Sequence, residues 1–122
     1  MTDMTILILG GGGFIGRKVA QSLAARATLR GQPITRLVLA DLAEPAPLDA
    51  PFAVETRACD ITDRAAVDAL IGPEVTVIFH FAAIVSSHAE AEFETGMAVN
   101  LHGTLNVLER ARVLGICPVV VF

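Results

Sequence analysis

Seven residues near the N-terminus, Gly10-Gly11-Gly12-Gly13-Phe14-Ile15-Gly16, have the types and spacing to hold a phosphate. Glycine adopts backbone angles closed to other residues and carries no side chain to keep a ligand away, so a glycine turn lets main-chain N–H groups approach an anion. Two registers fit. Gly11, Gly13 and Gly16 satisfy G-x-G-x-x-G, while Gly10, Gly13 and Gly16 satisfy the wider G-x-x-G-x-x-G. The nucleoside triphosphate pattern G-x-x-x-x-G-K-[ST] has the right gap from Gly11 to Gly16 but fails next, where Arg17 replaces the lysine and Lys18 the hydroxyl residue. The chemistry predicted is capture of a dinucleotide pyrophosphate, set against a turn that merely packs a helix on a strand.

Further candidates lie downstream. Asp41 follows the run Arg36-Leu37-Val38-Leu39-Ala40. A carboxylate at the C-terminal end of a second strand can accept hydrogen bonds from both ribose hydroxyls of adenosine and repels a 2′-phosphate, which favours NAD over NADP. Leu42 and Ala43 supply no arginine to reverse that preference. The gap from Gly16 to Asp41 exceeds the usual spacing of about 20 residues, which a longer turn over Thr28 to Pro33 would explain. The alternative is that Asp41 only starts the next turn. Asp60 could hold the adenine amino group while the Ile61 amide meets a ring nitrogen, and a plain turn residue fits Asp60 equally well. His80, His88 and His102 lack a metal-binding pattern, so no metal site is expected. Cys59 and Cys117 are isolated and read as buried, reduced thiols of a cytoplasmic protein.

The elements that must position these groups follow from periodicity. Thr5 to Leu9 is a β-like run directly before the glycines. Ile15, Val19 and Leu23 then recur at four-residue spacing, predicting a helix from Phe14 to about Arg26 that buries them. Its free N–H groups and positive dipole end aim at the glycine turn. The second strand is Arg36 to Ala40, and the third is Phe52 to Arg57 after a proline-rich loop. Thr62 is the expected cap of a helix from Asp63 to Ile71. Val75 to Phe81 is almost continuously apolar, as a central parallel strand should be. It runs into Ala82 and Ala83, small residues that leave room for a ligand across the sheet edge.

A helical region covers roughly His88 to Leu114, with a break expected near Thr95-Gly96. Met97, Leu101, Leu105 and Leu108 are its inward stripe and Gly115 its C-cap. Asn100 either faces away or satisfies a buried backbone group. Pro118 to Phe122 is a fifth strand. The fold class is therefore α/β, a Rossmann-type doubly wound parallel sheet of expected order 3-2-1-4-5, with ligands at the carboxyl ends of the strands beside the switch point between the first and fourth.

At 122 residues the chain is one domain at most, and its 53% hydrophobic content suits strands buried on both faces. The stretch from Val75 to Ala89 is free of Asp, Glu, Lys and Arg, but it is shorter than the roughly 20 apolar residues a bilayer requires. A net charge of −4 without a basic cluster gives no handle for nucleic acid. A small-molecule substrate is the expected partner.

Together, Gly10 to Gly16, Asp41, Asp60-Ile61, His80-Phe81-Ala82-Ala83 and Asn100-Leu101-His102-Gly103-Thr104 resemble the extended short-chain dehydrogenase/reductase family, the group of NAD-dependent epimerases and dehydratases. The family loop usually reads T-G-G-x-G-F-I-G, from which Leu9 departs. The resemblance selects Gly10, Gly13 and Gly16 as the working triplet. It implies that Gly13, Phe14 and Ile15 border the pyrophosphate, Asp41 holds the adenosine ribose, and Asp60 with Ile61 holds the adenine. Phe81, Ala82 and Ala83 would line the path to the nicotinamide, and Asn100 would have a structural and cofactor-side role. Within the family, Ala83 to Ser87 and the acidic segment Glu90 to Glu94 are most similar to the sugar-acid branch typified by D-erythronate dehydrogenase. Ser86 and Ser87 would then meet a substrate hydroxyl or carboxylate.

Family members work with a Ser or Thr after the fifth strand and a Tyr-x-x-x-Lys on the next helix, the tyrosine removing the hydroxyl proton as hydride leaves. This sequence contains no tyrosine, and its one lysine, Lys18, lies beside the glycine loop. The chain is thus expected to be the NAD-binding front of a longer enzyme, a homodimer at full length, without the catalytic and substrate-binding parts. An uncovered, apolar fifth strand is the expected consequence. Oxidation of a small sugar-acid or hydroxy-acid hydroxyl with hydride transfer to NAD is the leading activity. Nucleotide-sugar epimerisation or dehydration, and non-catalytic dinucleotide binding, are the alternatives.

Overall fold

The computed structural model describes residues 3–82, 92–115 and 118–122. Strand β1 (Thr5–Leu9) leads through the glycine turn into helix α1 (Phe14–Arg26). A short antiparallel hairpin, β2 (Thr28–Leu29) with β3 (Gln32–Pro33), follows. Next come β4 (Arg36–Asp41), β5 (Ala53–Ala58), α2 (Arg64–Leu70) and β6 (Val75–His80). The last described elements are α3 (Phe93–Met97), a π-helical turn over Ala98–Gly103, α4 (Thr104–Leu114) and β7 (Val119–Val121).

Five strands form one parallel sheet in the order β5-β4-β1-β6-β7. Leaving out the small hairpin, this is the predicted order 3-2-1-4-5. The longer turn expected over Thr28 to Pro33 is this hairpin, in which Arg30 and Gly31 both adopt positive φ, +53° and +77°, the backbone twist a two-residue connection needs.

Strand alternation divides the core into two layers. Ile6 and Ile8 of β1, with Leu37, Leu39 and Val77, pack beneath Ala20 and Leu23 of α1. Leu7 and Leu9, with Val38, Ala40 and Ile78, pack on the other face against Val67, Ile71 and Val107. Every residue of β1 is buried, as expected of the central strand. At the opposite end of the sheet from the glycine turn, Arg36 at the start of β4 holds Glu55 of β5 with Nε and Nη2 at 2.7 and 2.9 Å. That bond keeps the Glu55 carboxyl below the usual carboxylate range.

Four local expectations are corrected. Helix α1 buries Gly16, Ala20 and Leu23, with Ile15 exposed and Val19 half-buried. The supposed inward stripe of Met97, Leu101, Leu105 and Leu108 is exposed, and the buried residues are Gly96, Gly103, Val107 and Ala111. In both helices small side chains face inward because the helix packs closely on its neighbours: a Cβ at Gly103 would lie 2.6 Å from the Ile61 side chain. The third correction concerns the α2 cap, which is Asp63 and not Thr62; its carboxylate accepts from the amides of Ala65 and Ala66. The predicted break at Thr95-Gly96 is also absent, since both lie within α3, and the irregularity is the π turn that follows.

Gly115 caps α4 at φ +68°, as expected. β7 is the sheet edge, with Val119, Val121 and Phe122 exposed. Among the described residues no helix is long and apolar enough to cross a membrane.

Candidate functional site

The glycine turn is held against the ends of two strands. The amides of Gly10 and Gly11 both donate to the Ala40 carbonyl, at 2.8 and 2.9 Å, and the Gly13 amide donates to the Gly10 carbonyl at 3.1 Å. Gly10 has φ +86°, and a Cβ there would lie 2.8 Å from the Phe81 carbonyl carbon and 2.9 Å from the Ala82 nitrogen. At Gly16 a Cβ would fall 2.2 Å from the Gly10 oxygen. The fold itself therefore demands glycine at both positions, in agreement with the wider register. A Cβ at Gly11 would also be pressed, 3.1 Å from the Leu39 Cβ. Gly13 differs: a Cβ there would meet only the Gly10 oxygen, at an ordinary 3.4 Å. What an alanine at 13 would obstruct is the adjoining cavity, which Gly13 lines.

Gly13 is also the N-cap of α1, where no side chain among the described residues caps the helix. The first-turn amides thus keep their capacity to bind an anion, reinforced by the helix dipole. Phe14 and Ile15 stand on that turn with exposed side chains, and Gly16 is buried beneath it.

The cavity measures about 720 Å3. It runs along the carboxyl ends of the strands and brings together Gly10, Gly13, Asp41, Asp60, Ile61, Phe81 and Ala82. Asp41 Oδ2 accepts from the Gly12 amide at 3.0 Å and Oδ1 from the Leu42 amide at 2.8 Å. Asp60 forms a local turn, with Oδ1 accepting from both the amide and the hydroxyl of Thr62. It is a turn residue and a cavity residue at once. Cys59 lines the same end, its thiol pKa pushed up by burial and then by Asp60 and Asp63.

The far wall comes from Glu94 and Thr95 of α3 and from Ala98 and Val99 of the π turn, residues that sequence reasoning missed. This wall is fixed to the rest by three contacts. Gly103 admits the Ile61 side chain, and Asn106 Nδ2 donates to the Ile61 carbonyl at 2.9 Å. His80 at the end of β6 meets Thr104, Nε2 to Oγ1, at 2.7 Å. Burial lowers the His80 pKa. Asn106 is a polar helix residue that satisfies a backbone carbonyl, and Asn100, for which the sequence leaves two roles open, is exposed. The one signal that could have found Asn106 is its position three residues beyond Gly103, on the same helix face. Of the remaining candidates, Phe14, Ile15, Gly16 and Asn100 do not line the cavity, and Ala83, like Ser86 and Ser87, lies outside the described residues. Among the described residues no cluster of His, Cys, Asp and Glu could hold a metal ion.

Known proteins resemble this chain in sequence and in fold. The model of the 3-beta hydroxysteroid dehydrogenase/isomerase family matches residues 7–122. A D-erythronate dehydrogenase of Cupriavidus necator is 42% identical over 98% of the chain, and one of Haemophilus influenzae is 38% identical over 89%. The chain spans 38% and 34% of the length of these relatives. A solved nucleoside-diphosphate-sugar epimerase of Agrobacterium tumefaciens superposes with a TM-score of 0.91 at 36% identity, over 98% of this chain and 36% of that one. A uronate dehydrogenase of Agrobacterium tumefaciens, a Y136A mutant complexed with NAD, gives a TM-score of 0.71 at 29% identity, over 92% and 38%.

Proposed function

The chain belongs to the 3-beta hydroxysteroid dehydrogenase/isomerase family, and we propose that it is the NAD-binding part of an oxidoreductase that oxidises a hydroxyl of a small sugar acid. The observation that carries the reading is the convergence, around one cavity, of an uncapped helix N-terminus, a glycine at 13 that the protein's own packing does not require, and a carboxylate at the end of β4. These suit a pyrophosphate beside a ribose. In this reading the amides of Phe14 and Ile15 bind the pyrophosphate and Asp41 takes the adenosine ribose. Asp60 and Ile61 meet the adenine. Phe81 and Ala82, with Ala83, lead to the nicotinamide, and Asn100 supports that side of the site.

The cofactor supplies a hydride acceptor, while this chain's residues bind it, orient it and shield one side of it. The groups that activate the substrate hydroxyl are proposed to lie in the further length that the relatives possess. A sugar acid is preferred as substrate because both curated relatives quoted above are D-erythronate dehydrogenases. The superposition on a nucleoside-diphosphate-sugar epimerase supports a second reading, nucleotide-sugar epimerisation.

Titration calorimetry of the protein with NAD tests the cofactor assignment, which fails if no saturable binding is found. Incubation of the full-length protein with NAD and either erythronate-like acids or nucleotide sugars then separates the activities. Net NADH formation with the acids alone supports the dehydrogenase, whereas sugar isomerisation without net NADH supports the epimerase.

A further inference from the structure

Between β5 and α2 the chain makes a tight turn, closed by the Asp63 amide, which donates to the Asp60 carbonyl at 3.0 Å. Ile61 and Thr62 are its corners, so the Ile61–Thr62 peptide is the middle of the turn. That peptide is gripped from both sides. Its N–H, on Thr62, donates to Asp60 Oδ1 at 3.0 Å, and its carbonyl, on Ile61, accepts at 2.9 Å from Nδ2 of Asn106, 45 positions further along the chain. The same stretch of helix receives the Ile61 side chain, because Gly103, one turn before Asn106, has no Cβ where one would lie 2.6 Å from Ile61 Cδ1. Asp60 Oδ1 also takes the Thr62 hydroxyl, at 2.7 Å, whereas Oδ2 accepts no hydrogen bond among the described residues. Asp60, Ile61 and Thr62 all line the large cavity, and Asn106 does not.

We propose that Asn106 is a positioning residue for recognition of the adenine base, holding the turn so that Asp60 Oδ2 and the Ile61 N–H are presented together. The inference rests on the reading that the adenine lies at Asp60 and Ile61. Adenine offers an exocyclic amine, a donor, beside a ring nitrogen that accepts, and a carboxylate oxygen next to a main-chain N–H matches that pair. The match holds only while the carboxylate keeps its orientation. The Thr62 amide gives Asp60 that orientation, and the amide's direction is set by the other end of its own planar peptide, which Asn106 holds. Without Asn106 the Ile61 carbonyl, on a residue only 5% exposed, lacks its partner, and the turn shifts toward water to find one. Asn106 thus acts through Asp60 and Ile61 and not on the base itself.

The test measures dissociation constants by calorimetry for NAD and for nicotinamide hypoxanthine dinucleotide, in which a carbonyl replaces the exocyclic amine and the adjacent ring nitrogen carries a proton, so that both contacts are mismatched. The wild type should prefer NAD about 10–100-fold, the worth of hydrogen bonds to a charged group. Asn106→Leu should cut that preference to less than about threefold, by weakening NAD and leaving the hypoxanthine analogue within about twofold. In an Asp60→Ala background, where the preference is already lost, adding Asn106→Leu should change it by less than about twofold, because residues that act through one another are not additive. Loosened packing alone would weaken both dinucleotides by the same factor, and an unchanged preference in Asn106→Leu overturns the proposal. Thermal midpoints monitor folding, and Asn106→Ser, a smaller change at a half-buried position, gives the same comparison if Asn106→Leu does not fold. A wild type that does not prefer NAD overturns the adenine reading and this proposal with it; where the preference exists, the Asn106 variants alone decide.

Discussion

The Gly12 amide donates to Oδ2 of Asp41 across 3.0 Å, tying the glycine turn to the end of β4 over 29 positions of sequence. The other carboxylate oxygen takes the Leu42 amide. A side chain expected to meet ribose hydroxyls therefore also shapes the loop beside the pyrophosphate, and the two tasks share one carboxylate. Asp41→Ala should weaken NAD binding about 10–100-fold, from hydrogen bonds to a charged acceptor worth roughly 1.5–3 kcal/mol. It should also lower stability by about 1 kcal/mol, a modest cost because the bonds are exposed to water. Calorimetry and urea denaturation measure the two effects, and full NAD affinity in the variant would remove Asp41 from the site.

The glycines should separate folding from binding. Gly16→Ala places a methyl group 2.2 Å from the Gly10 oxygen, so the loop or helix must shift, at about 1–3 kcal/mol. Gly10→Ala adds a strained positive φ to a backbone clash and should cost at least as much. Gly13→Ala has only an ordinary contact and should stay within about 1 kcal/mol of wild type while losing tenfold or more in NAD affinity, about 1.4 kcal/mol. Chemical denaturation paired with cofactor titration reads both. A Gly13→Ala protein that binds NAD normally would mean that no ligand approaches this turn.

The sheet was legible because its signals were local and repeated. Val75 to His80 and Thr5 to Leu9 can be buried only between helices, and Asp41 sits at a strand end whichever neighbours that strand has. Helix faces were less legible, because close packing reverses the usual cue. At Gly16, Ala20, Gly103 and Ala111 a large side chain would hold the helix off its neighbour, so the residues facing inward are the ones hydropathy ranks low. The π turn at Ala98–Gly103 further offsets the helix face, and no residue type in that segment announces it. In the sequence Arg17 shows only as a departure from the triphosphate motif, because its partner, the Ala46 carbonyl, lies 29 residues away.

The helix assignment can be tested directly. Val107 is buried between α4 and the sheet, whereas Leu105 is half-exposed on the outer face. Val107→Ala should destabilise the protein by about 1–3 kcal/mol through the cavity it leaves, and Leu105→Ala by no more than about 0.5 kcal/mol. Urea midpoints at constant slope give both values. The reverse ranking would restore the stripe of Met97, Leu101, Leu105 and Leu108 as the inward face.

His80 supplies a pH dependence whose sign follows from its contacts. The Thr104 hydroxyl donates to the Asn100 carbonyl at 3.2 Å, so its oxygen is left to accept from His80 Nε2–H. Nδ1 is buried with no hydrogen-bond partner among the described residues. A second proton would place a cation and an unpaired N–H in that position, which is why burial holds the His80 pKa below its ordinary value. The unfolded chain, with an imidazole pKa of about 6.5, then binds the proton first. This contribution to stability is complete above about pH 6.5 and is lost as pH falls toward the lower folded value. Unfolding free energies of the wild type should therefore decline between about pH 7.5 and pH 5.5 more steeply than those of His80→Gln, which keeps a donor toward Thr104 but does not titrate. Parallel profiles for the two proteins would mean that His80 titrates alike in the folded and unfolded states.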